Sequence, residues 1–214
     1  MSHEQRQVAL LQPQPEFVGA ILAGGRGTRM KQYFKPTALL AGKSLVAHVS
    51  MRLSPQVKQV VLSANDAHPS FSALSLPIIG DENYRDNGPL AGILAALKYA
   101  RAHHENAFWL LSVPADCPFI PLDLGSRLYA CSDREIPRYA LCRSQPHFLC
   151  ALWPSSVLSS IESALNQHSF SVRAALAQKQ ALAYEFPEDM EHAFFNVNDD
   201  QDLQHAERIL AQNI

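Results

Sequence analysis

Ile21-Leu22-Ala23-Gly24-Gly25-Arg26-Gly27-Thr28-Arg29-Met30, with Lys35 five residues further on, decides how this chain is read. Val18 to Ala23 has the composition of a buried strand, and it opens into a loop of small residues carrying fixed positive charge. Glycine places no Cβ between a backbone N–H and a phosphate oxygen. Arginine and lysine neutralise the charge that accumulates during phosphoryl or nucleotidyl transfer. The loop therefore suits a nucleotide; the alternative is a flexible glycine turn. Two look-alikes fail on spacing. The dinucleotide fingerprint needs a glycine three places after its second one, where Met30 stands after Gly27. Gly42-Lys43-Ser44 ends like a P-loop, but its first glycine would fall on Thr37.

Outward from that loop, short β-rich apolar runs alternate with segments of helical spacing, which predicts an α/β fold with a mainly parallel sheet. Leu45, Val49 and Leu53 mark the buried stripe of a helix that Pro55 ends. Val60 to Ala64 reads as the next strand, and Pro77-Ile78-Ile79-Gly80 as a short buried one ending at Asp81. Leu90, Ile93, Leu94, Leu97 and Arg101 trace a helix with Pro89 near its first turn. Phe108 to Val113 is too apolar for a strand with one wet face and belongs near the sheet centre, with Asp116 beyond its C-terminal end. In the second half Leu141, Phe148 to Leu152 and Phe194 to Val197 read as strands. Ser155 to Asn166, Ser171 to Gln180 and about Asp200 to Ala211 read as helices. Ligands of open α/β sheets bind outside the carboxyl ends of the strands, where Gly24, Asn65, Asp81 and Asp116 all emerge.

The 214 residues, 47% hydrophobic, are expected to form one domain over 17–214, preceded by a mobile polar extension, 1–16. A net charge of -2 argues against general affinity for nucleic acid or anionic membranes, so phosphate binding must be local. The four cysteines, Cys117, Cys131, Cys142 and Cys150, contain no C-x-x-C pair, which speaks against a zinc site. Neither an export signal nor a bilayer-length apolar run is visible, and a cytoplasmic location with reduced cysteines is expected.

Asp116, in Val113-Pro114-Ala115-Asp116-Cys117-Pro118-Phe119-Ile120-Pro121, is the metal candidate. Magnesium prefers oxygen ligands, keeps several waters and bridges one or two carboxylates to substrate phosphates, so one aspartate suffices; the alternative is a turn or N-cap aspartate. Asn196 and Asn198, alternating with Val197, point to one face of a strand, either to orient a phosphate or metal-bound water or to cap the helix near Asp199. Arg29 contacts phosphate or pairs with a carboxylate. Gln145-Pro146, before an apolar strand, reads as a turn. His147 reads as a packed or solvated histidine, His103-His104 as the end of a solvent-facing helix, and Phe108 and Trp109 as core.

The glycine loop resembles the signature of nucleotidyltransferases that activate phosphorylated substrates. Leu22-Ala23-Gly24-Gly25, Lys35, Gly42-Lys43-Ser44-Leu45, Asp81, Gly88-Pro89-Leu90-Ala91-Gly92, Pro114-x-Asp116 and Phe195-Asn196-Val197-Asn198 occur in the order seen in molybdenum cofactor guanylyltransferases. This resemblance, spanning roughly Val18 to Ile209, implies a single-domain Rossmann-like three-layer α/β/α sandwich of the nucleotide-diphospho-sugar transferase type. It implies transfer of GMP from GTP to molybdenum-molybdopterin with release of pyrophosphate. Leu22, Ala23, Gly24, Gly25, Gly27, Lys35, Asn65 and Asp81 would serve the nucleotide, with Arg29 and Lys35 steadying negative oxygens. Asp116 would be the Mg2+ ligand, and Gln145, Asn196 and Asn198 would face the acceptor. Partners would be GTP, the pterin, and transient contacts with cofactor-synthesis and molybdoenzyme-maturation proteins. The chain departs from the family pattern at Phe34, where aspartate is usual, and at Lys31-Gln32, where Gly-Gly is common. A cytidylyltransferase, a sugar- or polyol-phosphate nucleotidyltransferase, and a cofactor-binding chaperone are the competing readings.

Overall fold

Alternate residues of the first strand serve opposite sides of the sheet: Val18, Ala20 and Leu22 enter one apolar cluster, Ile21 and Ala23 another. The computed structural model describes residues 16–24, 35–66, 68–85, 87–130, 135–188, 190 and 192–212. Gly25, Arg26, Gly27, Arg29 and Phe34 lie outside them. The strands are β1 Glu16–Leu22, β2 Leu39–Leu40, β3 Lys43–Ser44, β4 Gln59–Ser63, β5 Ile78–Ile79, β6 Phe108–Pro114, β7 Arg138–Cys142, β8 Gln145–Pro154 and β9 Leu182–Phe186. The helices are α1 Leu45–Leu53, α2 Pro69–Ser72, α3 Pro89–His103, α4 Leu124–Tyr129, α5 Leu158–Asn166, α6 Val172–Gln178 and α7 Asp200–Gln212.

Seven strands form one sheet in the order β5-β4-β1-β6-β8-β7-β9, while β2 and β3 make a separate two-stranded hairpin. Pairing is parallel for β1 with β4 and β6, β4 with β5, and β7 with β9; it is antiparallel for β8 with β6 and β7. The mainly parallel sheet thus holds, and β6, buried along its whole length, is the central strand. Ser112 fixes the antiparallel junction beside it. Its hydroxyl donates to the Leu149 carbonyl at 2.8 Å and accepts the Trp153 indole N–H at 3.0 Å, which satisfies two otherwise costly buried groups.

Helices cover both faces. Val46, Val49 and Leu53 of α1, Phe71 of α2, and Leu124 and Leu128 of α4 meet Ile21, Leu62, Leu111 and Val113. On the other side Leu90, Ile93, Leu94 and Leu97 of α3, Ile161 and Leu165 of α5, and Leu176 of α6 meet Val18, Val61, Leu110 and Trp153. A third, smaller cluster seats α7 on the hairpin through Leu40, Leu45, Ala206 and Ile209. From β1 the chain moves outward to β4 and β5, then returns through α3 to β6 on the other side of β1. That reversal of direction opens a crevice at the carboxyl ends of β1 and β6.

Gly88-Pro89-Leu90-Ala91-Gly92 now has a physical reading. Gly88 precedes α3 with φ 81° and ψ -175°, a region essentially closed to other residues. Pro89 follows at the first helical position, where its missing N–H costs nothing. A Cβ on Gly92 would stand 2.5 Å from Ser63 Oγ, so glycine lets the helix approach the end of β4.

Several local expectations change. Phe194 to Val197 is not a strand: Phe194 has φ 67°, which breaks an extended run, and Val197 is buried against α7. β5 lies at the sheet edge with Ile78 42% exposed, not buried. β9, absent from the sequence reading, is an edge strand in which only Phe186 is fully buried, so it leaves little apolar periodicity. His104 turns inward from the end of α3 and bonds Glu16 at 2.8 Å, while Lys58 takes the other Glu16 oxygen. Glu16, read as the last residue of the extension, is thereby the first residue of β1.

Gly88→Ala is expected to destabilise the fold by about 1–3 kcal/mol, the scale of a non-glycine residue forced into that region. Gly24→Ala, whose added methyl meets no atom of the described residues within 4 Å, should leave stability unchanged. Chemical denaturation of the two variants checks this; equal effects would remove the strain argument.

Candidate active site

Loops at the carboxyl ends of four strands converge because the ladder continues past the strands themselves. Ala115 N–H donates to Leu22 O at 3.0 Å, Ala23 N–H to Ser63 O at 2.9 Å, and Ala64 N–H to Ile79 O at 2.9 Å. The segments after β1, β4, β5 and β6 are therefore held in register where they leave the sheet. Asp116 O then accepts from Val197 N–H at 2.9 Å, which brings the Asn196–Asn198 segment to the same place.

Lys35 joins these loops through its side chain. Its Nζ donates to Asp116 Oδ2 and, at 2.8 Å, to Asn198 Oδ1. The two charged side chains are 17% and 22% exposed, so the pair is shielded yet still reached by water. Lys35 also starts a short 3-10 turn whose Lys35 carbonyl accepts from Ala38 N–H, and Ala38 O in turn accepts from Leu45 N–H at the start of α1. Asp116 is not a capping residue: among the described residues its carboxylate is engaged by Lys35. The cap of α7 is Asp199, whose Oδ1 accepts from Gln201 and Asp202 N–H, and this frees the Asn198 amide for Lys35.

A cavity of about 310 Å³ lies over this cluster, with Leu22, Ala23, Gly24, Lys35, Asp116 and Asn196 in its lining. Asp116 and Gly24 thus face one space. On one side it continues through Leu22, Gly24 and Pro89 into a shallow recess containing Ser63, Asn65, Asp81 and Gly92. Asn65 Oδ1 accepts from Asp81 N–H at 3.1 Å, orienting the aspartate, whose Oδ1 is buried without a hydrogen-bond partner among the described residues. A buried acceptor left in this state is costly, and it is poised for a donor on a ligand.

On the other side the space continues through Pro89, Pro114, Leu149 and Asn196 into a second cavity of about 340 Å³. Gln145, His147 and Arg173 contribute its polar groups. The His147 ring stacks on Phe194, with centroids 4.7 Å apart and planes at 22°, and burial lowers its pKa, so it is neutral at neutral pH. The structure brings Leu22, Ala23, Gly24, Lys35, Asn65, Asp81, Asp116, Gln145 and Asn196 to this continuous crevice. Asn198 is set apart: it lines neither cavity and instead holds Lys35. Gly25, Gly27 and Arg29 lie outside the described residues. Arg173 and the cavity-lining role of His147 escaped the sequence reading, since no spacing ties a helix residue or a lone histidine to a distant loop.

Cys117, just below Asp116, is fully buried; its hydrogen bond with Cys150, then burial, raises its thiol pKa well above the usual range. Both sulfurs are inert neighbours rather than ligands. Among the described residues no three His, Cys, Asp or Glu side chains gather into a metal site.

Comparison with known proteins fits this geometry. A family model described as MobA-like NTP transferase domain matches residues 19–182. The chain belongs to the MobA-like NTP transferase family. The transferase is 38% identical over 196 residues to a molybdenum cofactor guanylyltransferase of Bradyrhizobium sp. (strain ORS 278), covering 90% of this chain and 92% of that protein. It is 37% identical over 198 residues to one from Rhodopseudomonas palustris (strain BisB5), covering 91% and 94%. Among solved structures it is similar to molybdopterin-guanine dinucleotide biosynthesis protein A from Archaeoglobus fulgidus, with TM-score 0.71, 25% identity, and 91% and 99% of the two chains covered. A CMP:2-keto-3-deoxy-manno-octonic acid synthetase shares the fold, with TM-score 0.65 and 13% identity, over 93% of this chain and 99% of its own. Nucleotidyltransferases of this family generally use a divalent metal.

The donor set suits such an ion. An ionised carboxylate offers two oxygens and roughly four lone-pair positions, so Lys35 on Oδ2 does not exhaust Asp116, which would be able to hold a hard cation whose remaining positions substrate phosphates and waters would fill. Lys35→Ala is expected to cost about 1 kcal/mol of stability at most, because water reaches the carboxylate it leaves. It should weaken nucleoside triphosphate binding by roughly tenfold or more, the scale of a charge-assisted hydrogen bond. Thermal melting beside calorimetry separates the two; a large fall in melting temperature with unchanged binding would make Lys35 a structural residue.

Proposed function

We propose that this chain transfers GMP from GTP to the terminal phosphate of molybdenum-molybdopterin, releasing pyrophosphate. The observation that carries this is the single crevice in which a paired lysine and aspartate lie between a recess with an unmatched carboxylate oxygen and a second, larger cavity. The reaction forms a bond from an acceptor phosphate oxygen to the α-phosphorus and breaks the bond from that phosphorus to the β-phosphate bridging oxygen. The attacking oxygen is already ionised near neutral pH, so no general base is assigned. Catalysis consists of positioning and charge stabilisation.

The residues divide as follows in this reading. Leu22, Ala23 and Gly24 line the nucleotide's path, Lys35 steadies phosphate oxygens, and Asn198 positions Lys35. Gly25, Gly27 and Arg29 are assigned to the triphosphate on their sequence pattern. Asp116 would hold Mg2+, which when bound withdraws charge from the phosphate oxygens. Asp81, oriented by Asn65, reads the base. Guanine presents neighbouring N1–H and N2–H2 donors, which suit a carboxylate, whereas the pairing edge of cytosine presents one amino donor beside two acceptors. Gln145 and Asn196 face the acceptor. The activity is assigned to the domain that begins with β1 at Glu16, operating in the cytoplasm. Because the pterin is labile, transient contacts with cofactor-synthesis and molybdoenzyme-maturation proteins would deliver and receive it.

Calorimetric titration with GTP, CTP and UTP in magnesium should show a preference for GTP, and Asp81→Asn should reduce that preference by about tenfold, the scale of one charged hydrogen bond. A CTP preference would replace the proposal with a cytidylyltransferase, and equal weak binding of all three would favour a cofactor-binding role. Asp116→Ala should lower GMP transfer at least ~10²-fold with the fold intact; near-normal turnover in magnesium would remove Asp116 from the chemistry.

A further inference from the structure

Among the described residues that line the 340 Å³ cavity there is one fixed formal charge: Arg173, near the start of α6, and no described aspartate or glutamate. Among the described residues Arg173 takes part in no hydrogen bond, ion pair or ring contact. Exposed arginines are ordinary; this one is set apart because it borders a concavity that opens directly onto the Lys35–Asp116 cluster.

The chemistry asks for a cation there. The proposed reaction brings a phosphate nucleophile toward a triphosphate, and like charges resist that approach unless each carries its own counter-charge. Lys35 is already shared between Asp116 and Asn198 on the nucleotide side. Gln145, Asn196 and the neutral His147 supply hydrogen bonds and an aromatic wall to the second cavity, but no positive charge. A guanidinium offers five N–H donors in a planar fork that matches phosphate oxygens.

We infer that Arg173 is the anion-binding residue of the acceptor cavity, holding the terminal phosphate of a planar heterocyclic phosphate monoester while the His147–Phe194 stack walls its ring system. The inference rests on the reading of this cavity as the acceptor site. It makes Arg173 a determinant of which acceptors are used: an analogue lacking the phosphate loses its anchor, whereas GTP does not depend on it.

The test is calorimetric titration of the full chain, as wild type, Arg173→Ala and Arg173→Lys, with molybdenum-molybdopterin and separately with GTP in magnesium. Arg173→Ala should bind the pterin at least about tenfold more weakly and Arg173→Lys should fall between, the fork lost but the charge kept. GTP affinity and melting temperature should stay unchanged. Raising salt should weaken pterin binding by the wild type more than by Arg173→Ala, a response that a purely structural role would not give. Pterin affinity of Arg173→Ala within twofold of wild type, or a loss confined to GTP, overturns the inference. Wild-type protein that binds the pterin through Arg173 yet transfers no GMP would sustain it while refuting the guanylyltransferase reading. A wild type that does not bind the pterin refutes both.

Discussion

The Lys35 ammonium group ties together chain segments that lie far apart in the sequence, above an apolar cluster in which Leu40, Phe119 and Val197 from the same segments also meet. It reaches Asp116, 81 positions away, and Asn198, 163 positions away, while its own backbone turn leads into α1. The sheet makes this possible before the side chains act. Parallel pairing of β1 with β4 and β6 puts three strand ends at one edge, and the backbone bonds from Ala115 to Leu22 and from Ala23 to Ser63 continue the ladder into the loops. In the proposed function, a cation between a carboxylate and an amide at that edge would be half of a phosphate site, and the incoming triphosphate would supply the rest.

Charge logic then distributes the proposed roles along the crevice. An unmatched buried acceptor on Asp81 selects a ligand that brings N–H donors. The paired Lys35 and Asp116 serve a ligand that is both anionic and metal-bound, since one answers phosphate oxygens and the other a hard cation. Arg173, the one charged side chain among the described residues lining its cavity, would answer an anion with no metal of its own. The three environments follow one another in the order in which base, phosphates and acceptor are connected in the reaction.

What could be read in the sequence was governed by burial. β6 announced its central place because every residue from Phe108 to Pro114 is buried, and α1 and α3 showed their apolar stripes directly. Asp116 and Lys35 were legible because each follows a recognisable strand or loop pattern. β9 was not, since an edge strand with one fully buried residue has no pattern to show. Asn196-Val197-Asn198 has the alternation of a strand but is a loop, because Phe194 takes a positive φ and Asp199, directly after Asn198, caps the helix that begins at Asp200. The inward turn of His104 toward Glu16 and the place of Arg173 on the acceptor wall depend on contacts between distant segments, which local spacing does not encode.

The most direct test is a crystal structure with a non-hydrolysable GTP analogue and Mg2+. The expected density has guanine beside Asp81, the α-phosphate between Lys35 and a metal on Asp116, and the cavity of Gln145, His147 and Arg173 left open for a second substrate. A triphosphate lying in that second cavity, or a metal held away from Asp116, would contradict it.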